Sequence, residues 1–260
     1  MTVIAQTTTS SSWSEDRKLI KSEECCDNGV SYTLSTYEIP DYGQATFASI
    51  GGRTDGEFRR VRAMIPFEFM DKRAKDFNWS IYKGDVSAQK EIANKFIVNF
   101  GEFSNAGKGL YIYSEKKGSG KTFLASVLLN ELIETKSMTS KFINTLDLIE
   151  LTKKGFRYES CNDDVDAIFK SKVLVLDDIG VQLKKEWVDT VLYRLINYRS
   201  VNKLVTIFTS NVKVDGLDID DRIIDRIGKM TIPLVMPEES IRRRLAEDEN
   251  QEFLKNILRN

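Results

Sequence analysis

One short stretch of the chain combines glycine, lysine and hydroxyl side chains in the manner of a phosphate-binding loop. It reads Lys117-Gly118-Ser119-Gly120-Lys121-Thr122-Phe123. The two glycines lack a Cβ, so the backbone can curve around an anion with its N–H groups pointing inward. The ammonium of Lys121 could reach the outer phosphates of a nucleoside triphosphate, while the hydroxyl of Thr122 could bind Mg²⁺. We therefore predict that ATP and Mg²⁺ bind at this loop.

The loop departs from the usual P-loop pattern G-x-x-x-x-G-K-[ST] at its first position, which is Glu115. A carboxylate there could weaken nucleotide binding, or it could simply point to solvent. A chance match in a lysine-rich turn is the alternative interpretation of the whole stretch.

A second set of candidate residues follows a continuous apolar run, Val173-Leu174-Val175-Leu176, which ends in Asp177 and Asp178. This pattern is typical of a Walker B strand, because ligands of parallel α/β sheets bind at the carboxyl ends of the strands. Asp177 would organise Mg²⁺, and Asp178 would orient or deprotonate the attacking water. Asn211 ends the next predicted strand and could hold that water, although Asn is also a common turn residue.

Arg222 and Arg226 lie four residues apart and therefore share one face of a predicted helix. They could simply form surface ion pairs with Asp218, Asp221 or Asp225. The alternative is that one of them is an arginine finger that completes the site of a neighbouring subunit. Such a finger implies self-association into a ring or spiral.

The elements that position these residues alternate along the chain. Apolar runs at 110–113, 141–144, 173–178, 204–208 and 232–236 predict strands. Helices are predicted at about 87–100, from 123, at 146–154 and at 184–200, the last with Trp187 buried. A polar link is expected around Asp163, Asp164 and Asp166. This order predicts a three-layer αβα fold of the P-loop NTPase class with a mainly parallel sheet.

Composition excludes several classes of function and site. The 260 residues carry a net charge of −1 and no histidine, which excludes histidine-based nucleophile and metal sites. Three cysteines cannot form a disulfide framework, so a reducing, cytoplasmic setting is expected. No apolar run approaches the length that spans a bilayer.

We expect three regions: a disordered tail at 1–20, a small N-terminal adaptor module at 21–62 and an ATPase domain at 63–260. The alternating residues 30–39 predict a half-buried strand in the adaptor, and a linker is expected near 54–62. An ordinary extension packed on the main domain is the alternative to a separate adaptor.

Two further stretches each allow two interpretations. The aromatic residues of 65–70 and 77–80 could line an adenine pocket or could belong to the core. Lys153, Lys154, Phe156, Arg157 and Tyr158 could bind single-stranded DNA, because cations and aromatic rings alternate there, or could form a solvated helix end.

Taken together, residues 109–132, the strand at 174–180, the helix at 187–199, the stretch 207–211 and the helix at 221–227 resemble the DnaC/DnaI-type helicase loaders of the AAA+ ATPases. The resemblance covers roughly residues 60–245. It implies ATP-controlled delivery of a DnaB-type replicative helicase onto single-stranded DNA, and a minimal C-terminal lid. It also implies that Arg222 matches the finger position, with Arg226 second, and that Arg242 is a further phosphate-sensing arginine.

Some loaders of this family carry a zinc-binding N-terminal module. Cys25-Cys26 in this chain, with no histidine, implies a metal-free partner contact instead. Two other functions stay open: an IstB-like accessory ATPase that acts on a transposase–DNA complex, and a P-loop kinase for a small molecule.

Overall fold

The computed structural model describes residues 18–27, 30–39, 43–50, 55–136, 138–155, 160–181, 185–242, 250–251, 254–255 and 257. Phe156, Arg157, Tyr158 and most of the predicted C-terminal lid lie outside these residues. Among the described helices, none has the length and apolar character needed to cross a membrane.

The N-terminal part forms a three-stranded antiparallel meander of β1 (Lys18–Asp27), β2 (Val30–Ile39) and β3 (Gly43–Ile50). The strand predicted at 30–39 is confirmed with the same bounds. Lys18, Leu19 and Ile20 belong to β1, so the predicted tail can extend no further than residue 17, and residues 1–17 lie outside the described ones.

The stretch expected to be a linker is in fact helical. Residues 55–62 form α1 (Asp55–Arg62), which packs against the main domain. Arg60 is buried and donates to Glu134 at 2.7 Å, and the N–H of Phe142 donates to the carbonyl of Ala63 at 2.7 Å. Because the partners of Arg60 and Ala63 lie about 74 and 79 residues away, sequence patterns near 54–62 could not show that this stretch is docked.

The main domain is a five-stranded sheet with the order β5-β6-β7-β4-β8, and every neighbouring pair in it is parallel. Its strands are β4 (Gly109–Tyr113), β5 (Ser140–Asn144), β6 (Val173–Asp177), β7 (Val205–Ser210) and β8 (Thr231–Val235). Its helices are α2 (Ser87–Val98), α3 (Phe100–Ala106), α4 (Lys121–Lys136), α5 (Thr145–Gly155), α6 (Ser160–Lys170), α7 (Glu186–Val201) and α8 (Asp221–Met230). The predicted α/β fold with a mainly parallel sheet is confirmed.

Two apolar clusters, one on each face of the sheet, bury the central strands. Every residue of β6 and β7 is buried, as expected for parallel strands covered by helices on both sides. Helix α4 packs on one face and α7 on the other, so the loop before α4 and the ends of β6 and β7 are held rigidly.

Two local expectations were wrong. The predicted polar link is part of α6, because Val165, Ile168 and Phe169 give that segment an apolar side that contacts α5 and α7. Trp187 is 39% exposed, since it lies in the first turn of α7 on the side away from the core. The helix predicted at about 87–100 is confirmed as α2, and a second helix, α3, begins at Phe100.

A buried arginine joins the layers on the α7 side. The guanidinium of Arg199 donates to the carbonyl of Phe169 in the last turn of α6, to that of Ser171 just after it, and to the carbonyl of Val205 in β7. These carbonyls would otherwise be buried without partners, which is costly. Arg199 thereby fixes the end of α6 against the start of β7.

Candidate nucleotide-binding site

The loop between β4 and α4 has the backbone conformation that an anion-binding turn requires. Gly118 has a φ of 77° and Gly120 a φ of 90°, values that residues with a Cβ rarely adopt. The N–H of Leu124 bonds to the carbonyl of Gly120 and starts the helical ladder. Within the described part of the chain, no protein acceptor is assigned to the backbone N–H groups of residues 118–123. These donors, at a helix N-terminus, are the kind that bind phosphate.

The two glycines are also required by close packing on the outer side of the loop. A Cβ on Gly120 would lie 2.8 Å from the hydroxyl of Tyr82, and one on Gly118 would lie 2.8 Å from Oγ of Ser240. The hydroxyl of Tyr82 donates to the carbonyl of Ser119 at 2.7 Å. Tyr82 therefore supports the loop, a role that no motif in its own segment indicated.

Lys121 lies inside the loop and is nearly buried. Its Nζ donates to the carbonyls of Ser114 and Lys116, at 3.2 and 3.1 Å, and to Oγ of Ser119 at 3.2 Å. Burial lowers the pKa of its ammonium, and the charges of Asp178, Glu238 and Asp177 act in the opposite direction. The lysine thus lies within electrostatic reach of both predicted Walker B acids.

Asp177 ends β6 with only 6% of its surface exposed. Burial raises the pKa of its carboxyl group, while hydrogen bonds from Thr209 and Thr122 and the charge of Lys121 lower it. Oγ1 of Thr209 donates to Oδ1 of Asp177 at 2.6 Å and accepts from the N–H of Asp178 at 2.9 Å. Asp178 adopts a φ of 54°, a conformation that Asp tolerates better than most residues with a Cβ.

Sequence reasoning missed Thr209, although a signal was available. The parallel register pairs Leu176 with Phe208, which sets Asp177 beside Thr209 on the neighbouring strand. A hydroxyl one strand away from a buried carboxylate can stabilise its charged form.

A cavity of about 530 Å³ opens beside these residues. Thr122, Asp177, Asp178 and Arg242 line it on the side of the loop, and Asn144 and Asp147 line it on the side of β5 and α5. The structure therefore brings Thr122, both acids and Arg242 together around one cavity.

The other predicted residues, which are the rest of the loop, Asn211 and Arg222, do not line this cavity. Asn211 follows β7 directly at the same edge of the sheet, where the N–H of Ser114 bonds to the carbonyl of Ser210 at 3.3 Å. Arg222 lies on α8, where its guanidinium binds Asp220 and faces the ring of Tyr193 at 4.9 Å. No recorded contact joins Arg222 to the loop of the same chain within the described residues.

The donor set fits a magnesium nucleotide. Thr122 and Asp177 offer hard oxygen atoms, which Mg²⁺ prefers, and the helix N-terminus offers free N–H groups for phosphate. A cluster of His, Cys, Asp and Glu that could hold a metal on its own is absent from the described residues. Two side-chain ligands alone match the way in which Mg²⁺ usually binds together with substrate phosphates.

Some residues of the aromatic segment before α2 belong to the core, and others border the cavity, as an adenine pocket would require. Ile65 and Phe77 are buried in the core, and Phe77 packs against Trp79 and Phe123. Pro66 and Phe69 instead border the cavity, so an adenine contact stays a prediction for them. Phe67 points away from both, with 89% of its surface exposed.

Comparison with known proteins places the chain in a family. Residues 55–245 match the family described as IstB-like ATP binding protein. Among curated relatives, the replicative helicase loader DnaI of Bacillus subtilis is 32% identical over 123 residues, which are 47% of this chain and 39% of that protein. The replicative helicase loader DnaC of Escherichia coli strain K12 is 26% identical over 121 residues, 45% of this chain and 49% of that protein. The chain thus spans half or less of the length of these relatives.

Solved structures give the same result for the fold. A crystal structure of DnaI has a TM-score of 0.58 at 26% identity and covers 67% of this chain and 95% of that chain. A crystal structure of the DnaC helicase loader has a TM-score of 0.51 at 25% identity and covers 62% of this chain and 100% of that chain. DnaA bound to AMPPCP and single-stranded DNA, at 17% identity and a TM-score of 0.56, shares the fold and covers 71% of this chain and 56% of that chain. With its P-loop, its Walker B strand and a family match over residues 55–245, the chain belongs to the IstB-like ATP-binding family of AAA+ proteins.

Proposed function

We propose that this protein is an ATPase that delivers a DnaB-type replicative helicase onto single-stranded DNA. The observation that carries the ATPase part is the buried Lys121, inside a loop with free N–H donors and within reach of Asp177 and Asp178. A buried ammonium beside two carboxylates and a helix N-terminus is suited to a triphosphate with its magnesium ion.

Each residue of the site has a defined part in this proposal. Residues 118–123 bind phosphates through backbone N–H groups, and Lys121 neutralises their charge. Thr122 and Asp177 hold Mg²⁺, which supplies charge neutralisation when it is bound. Asp178 acts as the base or orienting group for water, with Asn211 beside it at the sheet edge. Arg242 contacts the phosphates from the segment that borders the loop.

We further propose that Arg222, and not Arg226, is the arginine finger. Arg226 is held by Asn197, by the hydroxyl of Tyr193 and by the carbonyl of Arg222. Arg222 has an exposed side chain whose guanidinium pairs with Asp220 through Nε and Nη2 and lies over the ring of Tyr193. An ion pair at the surface is weak and can be exchanged for a contact with phosphate. Because Arg222 does not contact the loop of its own chain, the finger would act on a neighbouring copy in a ring or spiral.

The helicase partner is proposed from the relatives, two of which are named replicative helicase loaders. The β1–β3 sheet precedes the matched family region and is the part free to serve as an adaptor. Its first strand is a sheet edge and presents exposed Leu19 and Ile20. An exposed strand edge can pair with a strand of another protein. With α1 docked on the main domain, the adaptor is the region before residue 55.

The proposed surface for single-stranded DNA begins at the end of α5, which is the part of it that the structure describes. Lys153 and Lys154 are exposed there, and Lys154 pairs with Glu150 at 2.9 Å. An ion pair at the surface is weak and can be exchanged for a phosphate contact.

The family description favours a second function, the remodelling of a transposase–DNA complex by an IstB-like ATPase. The two functions share the ATPase site and differ in the partner protein.

Replacement of Lys121 by Ala should abolish nucleotide binding and leave the fold intact. The loss removes a charge-assisted contact to phosphate, so we expect ATP affinity to fall by about 100-fold or more in a fluorescence titration. Lys136→Ala, at the exposed far end of α4, is the matched control and should bind as the wild type does. Equal ATP affinity in the Lys121 variant would contradict the site.

Replacement of Asp177 by Asn should stabilise the nucleotide-free protein at pH 7. A carboxyl group whose pKa is raised on folding contributes stability below its unfolded pKa, and that stability is lost as the pH rises through the folded pKa. We expect Tm to increase by roughly 2 °C or more at pH 7, and the gain to shrink toward pH 4. The control is Asp178→Asn, because Asn tolerates the same positive φ. A variant of Asp177 that melts below the wild type at pH 7 would refute this assignment.

Arg222→Ala and Lys121→Ala chains should each lack ATP hydrolysis and should regain part of it when mixed. Lys121→Ala chains would donate Arg222 to the intact sites of Arg222→Ala chains. Phosphate release measured across a mixing series tests this, with Arg194→Ala, an exposed arginine of α7, as the charge-loss control. A purely additive response in the mixtures would exclude a finger acting in trans.

The partner can be identified by capture of the full chain and of a variant that lacks residues 1–50. The full chain should retain a DnaB-type helicase in the presence of ATP and single-stranded DNA, and the truncated chain should not. Circular dichroism and ATP binding of the truncated chain show whether its main domain stays folded. Retention of a transposase on duplex DNA, with no helicase retained, would favour the transposase function over helicase delivery.

A further inference from the structure

Residues 236–242, here called the C-terminal strap, run along the outer side of the phosphate loop. The strap bonds to the loop at both ends. At the start of the loop, the N–H of Met236 donates to the carbonyl of Tyr113 at 2.8 Å. Farther along, the N–H groups of Ile241 and Arg242 donate to the carbonyl of Gly118 at 2.9 and 3.2 Å.

Between these points, the carboxylate of Glu238 binds two consecutive backbone donors of the loop. Oε1 accepts from the N–H of Glu115 at 3.0 Å, and Oε2 accepts from the N–H of Lys116 at 2.8 Å. Hydrogen bonds from N–H groups to a carboxylate are about twice as strong as neutral ones. Glu238 therefore fixes the first turn of the loop, where the usual motif has a glycine and this chain has Glu115.

One of these two peptide groups also carries the contact to Lys121. In a trans peptide the N–H of Glu115 and the carbonyl of Ser114 point in opposite directions from the same plane. The N–H binds Glu238, and the carbonyl accepts from Nζ of Lys121 at 3.2 Å. A hydrogen bond on one side of a peptide group polarises it and strengthens the bond on the other side.

We propose that Glu238 is a positioning residue for the P-loop lysine, acting through the peptide group between Ser114 and Glu115. The inference rests on the proposed nucleotide site and adds a residue outside the motif to it. The carboxylate orients the carbonyl that holds Lys121. It shares the N–H of Lys116 with Oγ of Ser114, which accepts from the same group at 3.1 Å.

A competing effect has the opposite sign, since a carboxylate near a triphosphate repels it. Glu238 lies on the outer side of the loop and is exposed, so salt and water weaken its repulsion of the phosphates, while its charge also favours the ammonium of Lys121. Its hydrogen bonds act at 2.8 and 3.0 Å and are screened far less. The positioning effect should therefore exceed the repulsion.

The strap offers a matched control. Glu239 also accepts from a backbone N–H, that of Lys83 at 3.0 Å, but it does not contact the loop in the described structure. Replacing Glu239 by Gln perturbs the strap and leaves the peptide group of Ser114 and Glu115 untouched.

The test compares Glu238→Gln with Glu239→Gln in full-length protein. Gln has the same size but can accept only one of the two N–H bonds, so we expect the KM and Kd for ATP to rise about tenfold with kcat at saturation little changed. Glu239→Gln should leave both constants within about twofold, and Tm of the two variants should agree. An unchanged or lower Kd in Glu238→Gln, or an equal rise in Glu239→Gln, would overturn the proposal.

A second measurement does not depend on nucleotide. In the wild-type protein, the amide protons of Glu115 and Lys116 should exchange slowly with solvent because both donate to Glu238, and Glu238→Gln should speed up their exchange. Equal exchange rates in the two proteins would refute the contact itself. If Lys121→Ala keeps full ATP affinity, the nucleotide site fails instead, and this failure is distinguishable because the amide protection can still be present.

Discussion

The burial of the Lys121 ammonium is the constraint on which the site depends. An ammonium group removed from water is costly unless several acceptors surround it. The carbonyls of Ser114 and Lys116 supply such acceptors only because the loop curves back over the lysine. That curvature needs positive φ angles at Gly118 and Gly120, and the nearby carboxylates of Asp177 and Asp178 favour the charged form.

The parallel sheet explains why these groups meet. Parallel strands have all their carboxyl ends at one edge, so β4 delivers the loop, β6 the acids and β7 Asn211 to the same place. Short hydroxyl side chains then lock the strand ends together. Thr209 joins Asp177 to Asp178, and Ser210 donates to the carbonyl of Ile179 at 2.7 Å. The geometry of the acids is therefore fixed by neighbours on the adjacent strand.

Support from the opposite side comes from segments distant in sequence. Tyr82 donates to the loop from the region before α2, and Glu238 accepts from it within the C-terminal strap. A rigid loop requires such contacts, because catalytic and binding groups must be held close to their productive positions. Gly118 and Gly120 are needed for two reasons: their φ angles are positive, and this packing leaves no space for a Cβ at either position.

The sequence by itself determined the fold class, the loop and the two acids, because apolar periodicity and a glycine-lysine motif are local signals. It failed at residues 163–166 and Trp187, where the neighbouring elements decide burial, and at 55–62, whose docking partners lie in α4 and β5. Only the tertiary structure decided that Thr209, Tyr82 and Glu238 support the site and that Arg226 is tied down while Arg222 is exposed. The physical reason is that these contacts join residues 29–123 positions apart, which no local pattern encodes.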